Sequence, residues 1–562
     1  MHRIDESTPV SPLLDQLYNK KEVSRKLLVN KRIFYLGIQA VINAIFIGFL
    51  AKLLVSLIAL ITNFAFYGRF SLELSSPTGN HLGWLVVLIP IAGSILVGLM
   101  ARYGSKAIRG HGIPEAMEKI ILEESKIPPA ITFLKPLSAA ISIGTGGPFG
   151  AEGPIIATGG ALGSLTGQIM HISPAERKII LTAGACAGMA AIFGTPLAAV
   201  LLAIELLLFE FSPRSIIPVA LGCIAGAGMH ILLFEKGPVF AMPPIPVPSE
   251  SGLVIYVLMG AFIGVIASWV SKSVYLVEDL FEKLPVHWMW WPAIGAITVG
   301  VTGYFAPFTM GVGYENIQEL LKGSLPLGML LALCFLKYIS WVVSLGSGTS
   351  GGTLAPLLTI GGAAGALLGF ILLHLFPSLE INMATAALIG MAAMFAGASR
   401  AFLTSVVFAL ETTGQINGLL PLMAACTSAY FVSFFLMKGS IMTEKIKRRG
   451  VKTPDSYEPD VLQTINVGQL ITPLPAGTKN LPYVYMTDDV GLAAEMMGRY
   501  NHDTLLVLDN KHSRQTTGVI TTASILQFYS QQKQKDHIYN SPARTRKLMV
   551  QGRKLMKRMR KN

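Results

Sequence analysis

The chain has 562 residues, of which 52% are hydrophobic and only 14% are charged, whereas a soluble protein usually has about 25% charged residues. Apolar runs long enough to cross a bilayer recur along it, which excludes a soluble globular protein and indicates a polytopic membrane protein. The net charge of +13 does not indicate nucleic-acid binding, because much of it lies in basic segments beside the apolar part and in the C-terminal tail.

Taken in chain order, residues 1–32 form a polar, basic N-terminal segment with a short predicted helix, and residues 33–440 are the predicted membrane domain. Basic residues precede the first apolar run and follow the last, so the positive-inside rule predicts that both termini are cytoplasmic. Membrane spans are predicted near 33–66, 80–103, 174–209, 214–234, 252–284, 290–307, 327–345, 355–376 and 383–438.

The membrane domain contains an internal repeat. The glycine-rich segment Gly144–Pro154 has a copy, Gly346–Pro356, that begins 202 residues later, and 144–167 matches 346–369 at 10 of 24 positions. Further on, the six residues from Gly188 resemble those from Gly390. Paired, interrupted apolar segments in two halves predict a binding site at the repeat interface near the middle of the membrane. We expect the two halves to have inverted topology.

Three glycine-rich loops lead into predicted helices, at Gly112-Ile-Pro114, Glu152-Gly-Pro154 and Leu354-Ala-Pro356. The first turn of a helix has unpaired N–H groups and the positive end of the helix dipole. Several such ends that converge form an anion site without a full positive charge, which suits an anion that must be bound and then released. Glu152 in the first repeat is replaced by Leu354 in the second, so the acid is an addition to shared anion-binding loops.

These loops resemble the signature loops of the CLC family of chloride channels and chloride/proton antiporters. The motifs are Gly110-His-Gly-Ile-Pro-Glu115, Gly150-Ala-Glu-Gly-Pro154 and Gly352-Thr-Leu-Ala-Pro356, and the resemblance covers about residues 33–450. It implies an all-α inverted-repeat bundle of tilted and broken helices, assembled as a homodimer with one pore in each subunit. The implied ligand is chloride or a similar small anion.

The resemblance also implies roles for individual residues. Glu152 matches the gating glutamate, whose ionised side chain occupies an anion site and whose protonated side chain leaves it. The backbone amides of Thr353 and Leu354 match ligands of the central anion. The full set of anion-binding positions implied by the three loops and the inner gate is His111, Gly112, Ile113, Gly150, Thr353, Leu354 and Met442.

This chain departs from the family pattern at four positions. His111 replaces the usual serine, and a neutral imidazole N–H there would donate to the anion unless the ring faces the aqueous vestibule. Ala151 replaces a common lysine or arginine. Met442 replaces the inner-gate tyrosine and cannot donate a hydrogen bond. Leu206 stands where the antiporters have an internal proton-transfer glutamate.

The last of these departures bears on proton coupling. Without an acid at position 206, a proton relay to Glu152 would use Glu205, Glu210 or water, although Glu210 is equally explained as a solvated residue at a helix end. The sequence therefore favours a passive chloride pathway, with coupled chloride/proton antiport as the alternative. Fluoride export is a third interpretation, against which the GxEGP form of the second loop argues mildly.

After the membrane domain, residues 441–466 are a basic linker, 467–530 a small predicted α/β module and 531–562 a basic tail. The module resembles a single CBS module, a type that usually occurs in pairs. The acid that often binds a nucleotide ribose in such modules aligns with Ser524, so nucleotide binding is doubtful there. No cofactor is predicted for the chain.

An enzyme is the competing class. Gly348-Thr-Ser350-Gly351 matches the GxSG motif of intramembrane serine proteases, which also need a histidine base such as His374 or His230. Ser350 corresponds to Pro148 in the first repeat, which argues against a nucleophile in this loop. The four cysteines lie in apolar stretches without CxxC spacing, so they predict neither disulfides nor metal ligands. A bacterial plasma membrane is the expected location.

Overall fold

The computed structural model describes residues 31–377, 381–448, 462, 465–474, 481–509 and 515–539. The predicted helix of the N-terminal segment lies outside these residues. The chain divides into two compact units, Met1–Asp455 and Ser456–Asn562. The first is helical throughout its described part, and the second contains a small sheet.

The first half of the helical unit begins with a 37-residue helix, and the later helices are shorter and often broken. A π-helical turn over Ala203–Leu208 directly continues the seventh helix. The helices are α1 (Lys31–Tyr67), α2 (Leu88–Tyr103), α3 (Ile113–Leu122), α4 (Ile131–Gly144), α5 (Glu152–Ile169), α6 (Pro174–Phe193), α7 (Pro196–Leu202) and α8 (Pro213–Leu233).

The second half also begins with a long helix, and shorter helices follow it. A π-helical turn over Ala332–Leu336 joins its fourth and fifth helices. The helices are α9 (Glu250–Glu282), α10 (Trp291–Phe305), α11 (Tyr314–Lys322), α12 (Leu327–Leu331), α13 (Lys337–Gly346), α14 (Leu354–Leu375), α15 (Met383–Ser399), α16 (Phe402–Thr413), α17 (Leu419–Leu436) and α18 (Glu444–Arg448).

Within the described part of the chain, seven helical segments are long and apolar enough to cross a membrane. They are Arg32–Tyr67, Gly83–Tyr103, Pro213–Leu233, Glu250–Glu282, Leu327–Gly346, Leu354–Leu375 and Ile416–Leu436. Six of them coincide with predicted spans, and the seventh is the end of the span predicted over 383–438.

Two predicted spans were wrong as continuous helices. The span predicted over 174–209 breaks at Gly194, and the span over 383–438 breaks at Arg400 and Gly414. All three residues adopt the left-handed conformation, with φ of 63°, 62° and 70°, and each ends its helix. Apolar composition continues across these breaks, so hydrophobicity alone predicts one long helix where the backbone forms shorter ones.

Glycines bring the helices of each repeat into close contact. A Cβ atom on Gly159 of α5 would overlap the backbone of Gly184 in α6, and one on Gly361 of α14 would lie 2.6 Å from the carbonyl oxygen of Gly390 in α15. Gly159 and Gly361 are 202 residues apart, so equivalent glycines make a close helix contact in both repeats, although their partners Gly184 and Gly390 are 206 residues apart. Backbone-to-backbone packing of this kind is typical of membrane helices.

The second unit has a three-stranded sheet of order β1 (Tyr483–Tyr485), β2 (Thr504–Leu508), β3 (Thr516–Thr521). β1 and β2 are parallel and are joined through α19 (Val490–Tyr500), whereas β2 and β3 are antiparallel. A final helix, α20 (Thr522–Tyr539), extends nine residues beyond the predicted end of the module at 530. Apart from that boundary, the predicted fold class, a helical bundle with a small α/β module, is confirmed.

Candidate anion site

The three glycine-rich loops that sequence analysis selected meet in the middle of the helical unit. The amide of Gly110 donates to the carbonyl of Thr349 at 3.0 Å, which joins the first loop to the loop before α14. Gly150 and Gly352 form an antiparallel bridge, which joins the second loop to the third. Because α3, α5 and α14 all begin at these loops, their N-termini converge on one region.

Gly112 and Gly153 allow the loops to approach this closely. Gly112 has φ of 98°, and a Cβ atom on it would lie 2.8 Å from the carbonyl carbon of Gly153. A Cβ atom on Gly153 would overlap the carbonyl oxygen of His111 and lie 2.8 Å from the Cα of Gly352. The second residue of α5 is therefore enclosed by the backbones of the other two loops.

The first loop is fixed by two charged side chains. Lys135 of α4 is fully buried, and its Nζ donates to the carbonyl oxygens of Ile108 and Gly110, both at 2.8 Å. Glu115 of α3 accepts from the amide of Gly112 at 2.6 Å and pairs with Lys445 of α18 at 2.9 Å. These contacts fix the backbone at the start of α3.

Glu152 is the first residue of α5 and has no exposed surface. Its Oε1 accepts a hydrogen bond from the hydroxyl of Tyr314 at 2.9 Å, and its Oε2 is buried and has no hydrogen-bond partner among the described residues. The side chain folds back over Gly150, where a Cβ atom would overlap the carboxylate, and it lies near the backbone amide of Ala355 in α14. The carboxylate thus sits between the N-termini of α5 and α14, where two positive helix ends stabilise a negative charge.

The remaining predicted anion ligands are also buried. Ile113 and Leu354 are the first residues of α3 and α14, and Thr353 directly precedes Leu354. His111 is 5% exposed, and its Nδ1 has no hydrogen-bond partner among the described residues.

Met442 is buried in the turn that precedes α18. The carbonyl before it, that of Ile441, accepts from the hydroxyl of Tyr275 at 2.6 Å. The same segment reaches the first loop through the ion pair of Lys445 with Glu115. The structure therefore connects the predicted inner-gate position to the loop that carries His111.

Sequence reasoning missed two residues beside Glu152, namely Tyr314 and Lys337. Lys337 of α13 is fully buried, and its Nζ lies 3.2 Å from the carbonyl oxygen of Thr309 and 3.4 Å from that of Gly311. A signal was available, because Lys337 follows Lys135 by the repeat offset of 202 residues. Likewise Gly311-Val-Gly313 before Tyr314 matches Gly110-His-Gly112 at an offset of 201.

The two relay candidates lie in different surroundings. Glu205 accepts from the amides of Leu403 and Thr404, both at 2.9 Å, so it caps the N-terminus of α16. In the other repeat, Glu411 accepts from the amides of Leu197 and Ala198 and caps α7. Glu210 is 43% exposed and pairs with Lys178 at 3.5 Å. Glu205 thus caps α16, whereas the side chain of Glu210 is partly exposed and pairs with a lysine.

Replacing Glu205 by alanine is therefore expected to destabilise the protein without changing its proton coupling. The change leaves the amides of Leu403 and Thr404 unpaired, which costs about 1–3 kcal/mol. Thermal unfolding of the detergent-solubilised protein measures this loss of stability. Glu210→Gln is the matched control, for which we expect no such loss. Loss of proton movement in a stable Glu205→Ala protein would contradict the assignment and restore Glu205 as a relay.

In the described structure, no histidine is among the hydrogen-bond partners of the serine in the GxSG motif. The hydroxyl of Ser350 accepts from that of Ser138 at 3.1 Å. His230 instead has its Nδ1 3.0 Å from the carbonyl oxygen of Ala191. His374 lies near the far end of α14, about 30 Å along the helix from its start. The geometry gives the protease interpretation no support.

Comparison with known proteins shows the family of the chain. A family profile described as "Voltage gated chloride channel" matches residues 92–434, more than half of the chain. The H(+)/Cl(-) exchange transporter ClcA of Yersinia pestis bv. Antiqua (strain Angola) is 29% identical over 408 residues, which cover 69% of this chain and 84% of the relative. ClcA of Yersinia pseudotuberculosis serotype IB (strain PB1/+) is 30% identical over 369 residues, covering 63% and 76%.

Solved structures share the fold. A slow cyanobacterial Cl-/H+ antiporter superposes with a TM-score of 0.65 at 23% identity, covering 73% of this chain and 98% of the antiporter. A CLC-type fluoride/proton antiporter superposes with a TM-score of 0.59 at 21% identity, covering 73% and 97%. At these identities the likeness is one of fold.

Proposed function

The chain belongs to the CLC family of voltage-gated chloride channels and related anion transporters, and we propose that it exchanges chloride or a similar small anion for protons across the membrane. It is an integral membrane protein whose family activity is anion transport. The names of its relatives favour coupled exchange, which the sequence alone ranked below passive conduction.

The observation that carries this proposal is the position of Glu152. Its carboxylate is fully buried at the N-termini of α5 and α14, which is where convergent helix ends favour an anion. An ionised carboxylate there has the same charge as the transported ion and competes with it for the same backbone amides. Protonation removes that charge, so the side chain leaves and an anion takes its place. The competition therefore links the protonation of Glu152 to the entry of an anion.

The proton must reach Glu152 without an acid at position 206. Leu206 has no carboxylate, Glu205 caps α16 and Glu210 is partly exposed, which supports a relay that uses none of the three side chains. We propose that water carries the proton across this gap. Exchange through water is slower than through a fixed acid, and we expect more anions to pass per proton.

The family and the basic flanks support two further parts of the proposal. We propose that the chain acts as a homodimer with one anion pathway in each subunit, because the resemblance implies that assembly. We also propose a bacterial plasma membrane with both termini in the cytoplasm, which is the side that the positive-inside rule assigns to the basic residues near 20–32 and 445–449.

Reconstitution into lipid vesicles tests the proposal. With chloride concentrated inside and the membrane potential clamped by a potassium ionophore, chloride leaves down its gradient, and we expect protons to enter against theirs. External pH and chloride are recorded together, with protein-free vesicles as the control. Chloride efflux without any uphill proton movement would reject exchange and leave passive conduction.

A further inference from the structure

We propose that the hydroxyl of Tyr314 is a latch on the gate, meaning that it holds the ionised Glu152 carboxylate in the anion position and sets how readily an anion displaces it. This inference rests on the proposed gating role of Glu152. It adds a positioning residue from the second repeat to a site that the sequence assigned to the three glycine-rich loops.

The contact itself is direct. The Tyr314 hydroxyl donates to Oε1 of Glu152 at 2.9 Å, whereas Oε2 has no hydrogen-bond partner in the part of the chain that the structure describes. A hydrogen bond from a neutral donor to a carboxylate is stronger than one between two neutral groups, and it stabilises the ionised form. Each time the gate opens, this bond must break.

An aromatic cluster fixes the ring of Tyr314. Its centroid lies 5.8 Å from those of both Phe193 and Phe240, with the rings near edge-to-face. Phe408 packs edge-on against Phe193 at 4.9 Å. Because these rings come from α6, α16 and the segment before α9, the tyrosine cannot follow the carboxylate when the carboxylate moves.

The backbone that carries the tyrosine is fixed as well. Tyr314 is the first residue of α11 and follows Gly313, whose φ is 75°. Lys337 contacts the carbonyls of Thr309 and Gly311 in the preceding loop, as Lys135 does for Ile108 and Gly110 in the first repeat. The second repeat therefore builds the same lysine-bound loop, and Tyr314 begins its helix where Ile113 begins α3.

The groups around Glu152 act on its carboxylate in different ways. The titratable groups that face the carboxylate are Tyr314 from α11 and Lys337 from α13, while α14 presents the amide of Ala355. His111, from the first loop, meets α5 through its backbone carbonyl, and the charges around its ring belong to Glu115, Lys135 and Lys445. Lys337 acts on the ionised carboxylate through its charge, whereas the Tyr314 hydroxyl is the side-chain group that donates a hydrogen bond to it.

The test is Tyr314→Phe, which keeps the aromatic cluster and removes only the hydroxyl. In the vesicle assay we expect the chloride concentration for half-maximal flux to fall about ten-fold, because the anion then competes with a less stabilised carboxylate. The pH of half-maximal flux should rise by about one unit, since a ten-fold loss of stabilisation of the ionised form equals one unit. Tyr338→Phe is the matched control, because its hydroxyl bonds to Ser273 and not to Glu152.

A double variant separates the latch from a structural role. In a Glu152→Ala background, Tyr314→Phe should change neither chloride dependence nor pH dependence, because the group that it holds is absent. The latch is overturned if the single variant keeps the original chloride and pH dependence, or if the double variant shows the same shift as the single one. Neither result affects the gating role of Glu152, which Glu152→Gln tests by itself.

Discussion

Glu152→Gln is expected to abolish proton movement while chloride flux continues and loses its pH dependence. The amide has almost the size of a protonated carboxyl group but carries no charge at any pH. It therefore neither exchanges a proton nor competes with the anion as a charged group. The vesicle assay measures both effects as a proton flux at the background of protein-free vesicles and a flat pH profile for chloride efflux.

The matched control for this change is Glu319→Gln on α11. Glu319 is a partly exposed acid that pairs with Lys322 at 2.6 Å, so its neutralisation should leave coupling unchanged. Continued uphill proton movement in Glu152→Gln would remove Glu152 from the proton pathway. The proposed function would then fail irrespective of what Tyr314 does.

Gly153→Ala is expected to reduce anion flux by more than ten-fold by forcing the three loops apart. A Cβ atom at this position would overlap the His111 carbonyl oxygen and lie 2.8 Å from the Cα of Gly352, and both neighbours are backbone that no side-chain rotation can move. Overpacking typically costs about 1–3 kcal/mol. Here that cost falls on the geometry of the helix N-termini that we expect to bind the anion, so transport should suffer before folding does.

Gly160→Ala is the control on the same helix. A Cβ atom on Gly160 would have neighbours at 3.5 Å or more, which is ordinary van der Waals contact. Chloride efflux and size-exclusion chromatography of the purified variants separate loss of transport from loss of folding. Normal flux in a monodisperse Gly153→Ala protein would show that close contact of the loops is not needed for transport.

Much of the fold and part of the site could be predicted from the sequence. The apolar composition predicted a membrane protein, and the 202-residue offset between Gly144 and Gly346 predicted a repeated architecture. The glycine-rich loops predicted the starts of α3, α5 and α14 to within three residues, because a proline in the first turn and the glycines before it are local signals. Glu152 was identifiable because it is an acid within apolar sequence and its repeat partner is a leucine.

Other features depended on contacts between distant parts of the chain. The sequence made Glu205 a candidate for proton transfer. In the structure it caps α16, a helix that begins nearly two hundred residues later. Its partner in the repeat, Glu411, caps α7 in return. No local pattern distinguishes an acid in apolar sequence that caps a helix from one that transfers protons, because the difference lies in which amides the folded chain brings to it.

Tyr314 is the clearest case of what only the tertiary structure decided. In the sequence it follows Gly311-Val-Gly313 and lies 162 residues from the acid to which it donates a hydrogen bond. The sequence by itself determined that two repeats supply similar loops and that one of them carries a glutamate. Only the packing of the second repeat against the first shows that the start of α11 presents a hydroxyl to that glutamate. The physical reason is that the donor and the acceptor lie in different repeats, so their distance depends on how the two repeats pack.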